Sequence, residues 1–132
     1  MKTVNLIRLF VLFVGISGAF SVLFGAWLAH AGTSLPQLQQ ATLSTALQYQ
    51  FIHTLALLIS LVWWCVKPIK WLIAACLCFT LGILCFSGSL YLKTIFEIVS
   101  IGKVTPLGGI LFAIGWLFIT TVGITLVKPK QV

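Results

Sequence analysis

Residues 45–92 read TALQYQFIHTLALLISLVWWCV, then KPIK, then WLIAACLCFTLGILCFSGSLYL: two uncharged apolar runs of about 22 residues separated by a short basic turn. Coiled as helix, about 22 residues rise about 33 Å, the thickness of a bilayer's hydrocarbon core. Outward from this hairpin, Leu9–Leu28 and Pro106–Val127 also contain no Lys, Arg, Asp or Glu. The chain of 132 residues is 61% hydrophobic and 7% charged, with mean hydropathy +1.18. Soluble domains carry about 25% charged residues, so a soluble core is excluded. The pattern predicts an all-α integral membrane four-helix bundle, one transmembrane domain over residues 1–132 with spans at about 9–30, 45–66, 71–92 and 106–127.

The charge pattern predicts an orientation. If both termini are inside, the cytoplasmic face holds Lys2, Arg8, Lys67, Lys70, Lys128 and Lys130, and the outer face holds Lys93, Lys103 and the single acid, Glu97. That bias predicts N-in/C-in. A net charge of +7 in a soluble chain would suggest nucleic acid. At span ends the same lysines are topology signals, and no nucleic-acid partner is expected. Lys2 and Arg8 before an apolar run, with Ala29-His30-Ala31 after it, imitate a secretory signal. The run is longer than the roughly 7–15 residues of a signal core, so a retained first helix is expected.

Local signals place the turns. Thr33-Ser34-Leu35-Pro36 reads as a helix start with a hydroxyl cap and proline in the first turn. Gln37, Gln40, Ser44 and Gln48 then repeat at helical spacing without charge, predicting a short interfacial helix before span 2 that runs or bends into it. Lys67-Pro68-Ile69-Lys70 is a tight turn, with Trp63-Trp64 at the membrane interface. Gly102-Lys103 breaks the chain, and Thr105-Pro106 reads as cap and first turn of the last helix. In helix 1, Gly18, Ser21, Gly25 and Ala29 fall near one face, where small side chains let a neighbouring backbone come close.

Under this topology the polar residues of the spans gather in the outer half. His30 ends helix 1; Gln48, Tyr49, Gln50 and His53 open helix 2; Ser87, Ser89 and Tyr91 close helix 3; Thr105 opens helix 4. Unsatisfied polar groups in lipid cost several kcal/mol, so His53 should point inward toward Ser87, Tyr91 or His30. These residues define a candidate polar pocket of His30, Gln50, His53, Ser87, Tyr91 and Thr105. As a site it competes with a plainer role, hydrogen-bonded ties between helices.

Several chemistries are disfavoured. No Cys-x-x-Cys occurs, and Cys65, Cys76, Cys78 and Cys85 all lie in spans, as small packing residues would. Two histidines raise haem or metal ligation, but His30 lies too near the surface to share a cavity with His53 and no carboxylate orients either ring. A proton-driven exporter would want an acid within a span. Glu97 lies in a loop four residues after Lys93, which reads as a surface pair. Ser87 or Ser89 with His53 lacks a nucleophile elbow. No enzyme activity, cofactor or metal is expected.

Gly25-Ala26-Trp27-Leu28-Ala29-His30, Ala46-Leu47-Gln48-Tyr49-Gln50-Phe51-Ile52-His53, Phe86-Ser87-Gly88-Ser89-Leu90-Tyr91 and Thr105-Pro106-Leu107-Gly108-Gly109 stand in an order that resembles the YgdD/YwdK-like family of small four-span bacterial inner-membrane proteins of unknown function. The likeness runs from about Gly15 to Trp116. It implies a multi-pass protein of the bacterial inner (plasma) membrane and supplies no activity.

The function expected is that of a small polytopic binding or accessory protein. Its partners would be the lipid bilayer and a lipid headgroup, a small solute or a partner membrane protein, with a homo-oligomer among the options. The alternative is a small solute or proton transporter or channel subunit using His53, since an imidazole titrates near neutral pH.

Overall fold

The computed structural model describes residues 2–126. Five helices carry the chain: α1 (Lys2–His30), α2 (Gln37–Val66), α3 (Lys70–Ile83), α4 (Ser89–Ile95) and α5 (Thr105–Leu126). A π-helical turn, Leu84–Gly88, joins α3 to α4, so the two form one rod. Short 3-10 segments, Gly32–Ser34 and Val99–Val104, follow α1 and precede α5. No strand occurs among the described residues. Val4–His30, Gln37–Val66, Lys70–Ile95 and Val99–Leu126 are long and apolar enough to cross a membrane, as the four charge-free runs predict. Val127, expected to close the last span, and Lys128 and Lys130 of the charge count lie outside the described residues.

The helix ends differ from the sequence expectation in three places. Thr33 and Ser34 do not cap α2. Their hydroxyls donate to the carbonyls of His30 (2.9 Å) and Ala31 (3.0 Å), closing the open end of α1. Pro36 takes the cap position of α2 without a side-chain bond, and the Gln40 amide reaches back to the Thr33 and Leu35 carbonyls to fasten the turn. The uncharged segment before span 2 is helical and continues into α2 without a break. Thr105 is already helical, and its hydroxyl meets Ser89 Oγ at 2.6 Å rather than capping. Gly102 does not break the chain. It sits in the 3-10 segment, where a Cβ would come 3.1 Å from Lys93 Cδ, so its missing side chain makes room for the lysine stem.

α3 lies between α2 and α5, and α1 packs along α2. The core is a file of Phe10, Leu57, Leu61, Ala75, Cys76, Phe79, Ile83 and Phe112, drawn from all four spans. Large apolar side chains such as Leu9, Ile16, Leu23, Ile59 and Leu117 face outward, as lipid contact requires. The rod of α3 and α4 approaches α5 through interlocked phenylalanines and glycines. A Cβ on Gly82 would lie 2.5 Å from Phe112 Cδ1, and one on Gly115 would lie 2.6 Å from Phe79 Cε1. A Cβ on Gly108 would run into the backbone nitrogen of Phe86. The helix-1 strip is covered only in part: Ser21 is buried and Gly25 meets Leu47, while Ala29 is exposed and Gly18 has nothing within 4 Å of a built Cβ.

These contacts set two glycine substitutions apart. Gly108→Ala must push backbone from backbone and should lower stability by about 1–3 kcal/mol. Gly18→Ala meets no neighbour and gains helix propensity, so stability should hold or rise by up to about 1 kcal/mol. Unfolding of the two purified variants in the same detergent measures both.

Candidate functional site

Gln50, only 5% exposed, is the hub of one polar group. Its Nε2 donates to Ser17 Oγ (3.0 Å) and to the Ser17 carbonyl (3.3 Å), and its Oε1 accepts from the Tyr91 hydroxyl at 2.8 Å. Ser17 Oγ also lies 2.7 Å from Thr54 Oγ1. An amide suits this place because it donates and accepts at once, so one side chain ties α1, α2 and α4 together.

His53, one turn along α2, belongs to a different group. Its Nδ1 is 2.7 Å from the Tyr49 carbonyl, and Trp116 Nε1 donates to its Nε2 at 3.2 Å. A carbonyl can only accept and an indole N–H can only donate, so the ring carries its proton on Nδ1 and is neutral. The imidazole stacks on Phe112 with centroids 3.6 Å apart and planes at 12°, and Phe79 lies 5.7 Å away. Both nitrogens are occupied and the ring is held between α2, α3 and α5.

The remaining candidates separate further. Ser87, fully buried, donates to the Ala46 carbonyl at 2.7 Å. The π turn around it sets Phe86 against Gly108. Ser89 donates to the Phe86 carbonyl at 2.9 Å and meets Thr105 Oγ1. His30 is exposed at the end of α1, where its carbonyl serves the turn.

The six expected residues therefore do not line one cavity. Gln50 and Tyr91 border a crevice of about 230 Å³ with Ser17 and Phe20. Ser87 ties the π turn to α2, Ser89 and Thr105 join α4 to α5, His53 reaches toward α5, and His30 joins none of them. The reason is angular: successive turns of α2 face different neighbours, and each polar group bonds to the helix beside it. Among the described residues no buried side-chain nitrogen or oxygen is left without a partner.

α2 also carries polar groups that the bundle does not use. Ser44 and Gln48 are exposed and make no side-chain hydrogen bond among the described residues. Both border a groove between α1 and α2 of about 550 Å³ (with Ser21, Val22, Leu47 and Phe51), and Ser44 also borders an adjoining one of about 480 Å³ (with Gly25, Ala29 and Gln40).

Residues 24–109 match the model of the family described as protein of unknown function (DUF423). The chain belongs to this family. It is 33% identical over 126 residues to the UPF0382 inner membrane protein YgdD of Escherichia coli (strain K12), covering 95% of each chain. It is 35% identical over 105 residues to a UPF0382 membrane protein of Haemophilus influenzae, covering 79% of this chain and 84% of that one. With the UPF0382 membrane protein YwdK of Bacillus subtilis it shares 30% over 125 residues, 89% of this chain and 97% of the other. No solved structure matches it. With four membrane-crossing helices and relatives named for the inner membrane, this DUF423 chain is a multi-pass protein of the bacterial inner membrane.

The DUF423 match contains Gln50, His53, Ser87, Tyr91 and Thr105 but ends before Phe112 and Trp116. Those two, with Ser17 and Thr54, are the partners that sequence reasoning missed. Trp116 carried a usable signal: a tryptophan in the middle of a span lies away from the interfaces where the residue normally sits, so its N–H needs a partner inside the protein.

Loss of the Gln50 hub should be felt in folding. Gln50→Leu should destabilise the bundle by about 1–2 kcal/mol, and Tyr91→Phe by less. The two changes should be non-additive in a double-mutant cycle, with a coupling of about 0.5–2 kcal/mol read from unfolding in detergent.

Proposed function

We propose that this chain is a non-enzymatic binding or accessory protein of the inner membrane, a single transmembrane unit with both termini cytoplasmic, whose binding surface is the seam between α1 and α2. The observation that carries the reading is the pair Ser44 and Gln48. Counting about 30 Å of hydrocarbon along α2 from Trp63 reaches the level of Leu43, so Gln48 lies at lipid depth and Ser44 at its edge, neither with a side-chain partner among the described residues. An amide in lipid gains from any group that both donates and accepts. On α1, one turn from the groove-lining Val22, Gly18 has nothing within 4 Å of a built Cβ, which leaves room for a helix to settle close. A partner membrane helix with a polar side chain satisfies both features, and a second copy of the chain is the simplest such partner.

Charge supports the choice of occupant. The residues bordering the two grooves include no lysine or arginine, which an anionic headgroup would want. The transporter reading needs a ring nitrogen of His53 free to exchange protons with a water path, and both nitrogens are engaged. An acyl-transfer reading needs a serine beside that ring, and Ser87 and Ser89 bond elsewhere.

Donor–acceptor energy transfer between labelled copies in liposomes tests the seam. Gln48→Leu should weaken association about three- to twentyfold, the worth of one interhelical hydrogen bond in lipid. Undiminished association of the Gln48→Leu protein would remove the seam as the binding surface. Reporter fusions to the C-terminus should be active only in the cytoplasmic compartment, as the lysine distribution requires.

A further inference from the structure

At the end of the bundle opposite the Lys67–Lys70 turn, a cavity of about 520 Å³ opens between the first turns of α2 and the last turn of α4. Gln39, Lys93, Thr94 and Glu97 border it, with Leu38 and Val99 at its margin. It is separate from the α1–α2 seam and from the polar ties described above.

The sequence suggested that Lys93 and the loop residue Glu97, four residues apart, form a surface pair. They do not. α4 ends at Ile95, so Glu97 lies beyond the helix, and neither residue makes an ion pair among the described residues. The Lys93 stem lies across Gly102, which holds it along one wall. Glu97 occupies the left-handed turn that stops α4: the Phe96 and Ile98 amides both return to the Leu92 carbonyl, and Glu97 has φ 57°. Glycine or asparagine normally takes that position, because a Cβ there costs about 1–2 kcal/mol. Glu97 is the only described non-glycine residue with positive φ, and it is the only acid in the chain. A carboxylate kept where glycine would be relaxed is the kind of backbone strain that accompanies ligand sites.

We infer that this cavity binds the zwitterionic headgroup of a phospholipid, with Lys93 on the phosphate and Glu97 on the ammonium. Both charges border the same hollow and make no ion pair with each other among the described residues. Gln39 and Thr94, which border it too, supply uncharged donors. The margin selects a lipid over a soluble zwitterion. Leu38, 79% exposed, and Val99, 72% exposed, are apolar members of the hollow's lining, and Phe96 next to Glu97 in sequence is 66% exposed. A headgroup seated between Lys93 and Glu97 would lay its acyl chains against these side chains.

Native mass spectrometry of the full chain in detergent, loaded with equal amounts of phosphatidylethanolamine and phosphatidylglycerol of the same acyl chains, tests this. The wild type should retain phosphatidylethanolamine preferentially. Glu97→Gln should cut that preference about tenfold, the worth of one charge-assisted hydrogen bond, while phosphatidylglycerol remains bound. Lys93→Gln should lower retention of both lipids. Glu97→Gly guards against a folding artefact: it should raise the unfolding temperature by relieving the left-handed Cβ and still lose the preference. Equal retention of the two lipids by the wild type, or a preference that survives Glu97→Gln, overturns the assignment. Displacement of the lipid by free phosphoethanolamine at matched concentration would overturn the lipid and make the ligand a soluble zwitterion.

Discussion

The interlock of phenylalanines and glycines between the third rod and α5 sets the spacing that the rest of the bundle depends on. In lipid there is no hydrophobic gain from bringing apolar helices together, so close packing has to supply the attraction. Phe112 fills the space over Gly82, Phe79 fills the space over Gly115, and Phe86 lies on Gly108. Each phenylalanine is placed by the glycine opposite it. Because this contact draws α5 close to α3, Phe112 and Trp116 come within reach of α2, where His53 receives both.

Polar groups then do the work that charge does in soluble proteins. Gln50, His53, Ser87 and the Ser89–Thr105 pair each tie a different set of elements, and each finds its hydrogen-bond partners inside the protein. Such ties specify which helix lies beside which, because an alternative arrangement would strand a donor or acceptor in hydrocarbon. The π turn at Leu84–Gly88 belongs to the same economy. It lets one rod present Phe86 and Ser87 to two neighbours while its backbone stays bonded.

Two regions stand outside this closed accounting, and both lie on the surface. The α1–α2 seam keeps an unsatisfied amide and hydroxyl beside small residues. The hollow between α2 and α4 keeps the chain's one acid in a strained turn across from a lysine. With the interior saturated, these two places are the ones the proposed binding roles rest on.

The sequence by itself determined that the chain forms four apolar helices long enough to cross a membrane. Uninterrupted apolar length is a property of the chain alone, and Lys67-Pro68-Ile69-Lys70 cannot be helix interior. It also singled out Gln50, His53, Ser87, Tyr91 and Thr105, since a polar residue within a span must find a partner. It did not determine which partner. That depends on the azimuth each turn of α2 presents and on the glycine-set approach of α5, and so the expected single pocket became separate ties. The Lys93–Glu97 relation was decided the same way: the spacing reads as a surface pair, but α4 ends at Ile95 and the two form no ion pair among the described residues. Only the tertiary structure decided that the two charges face a hollow instead of each other, because where a helix ends depends on the packing and hydrogen bonds around its last turn.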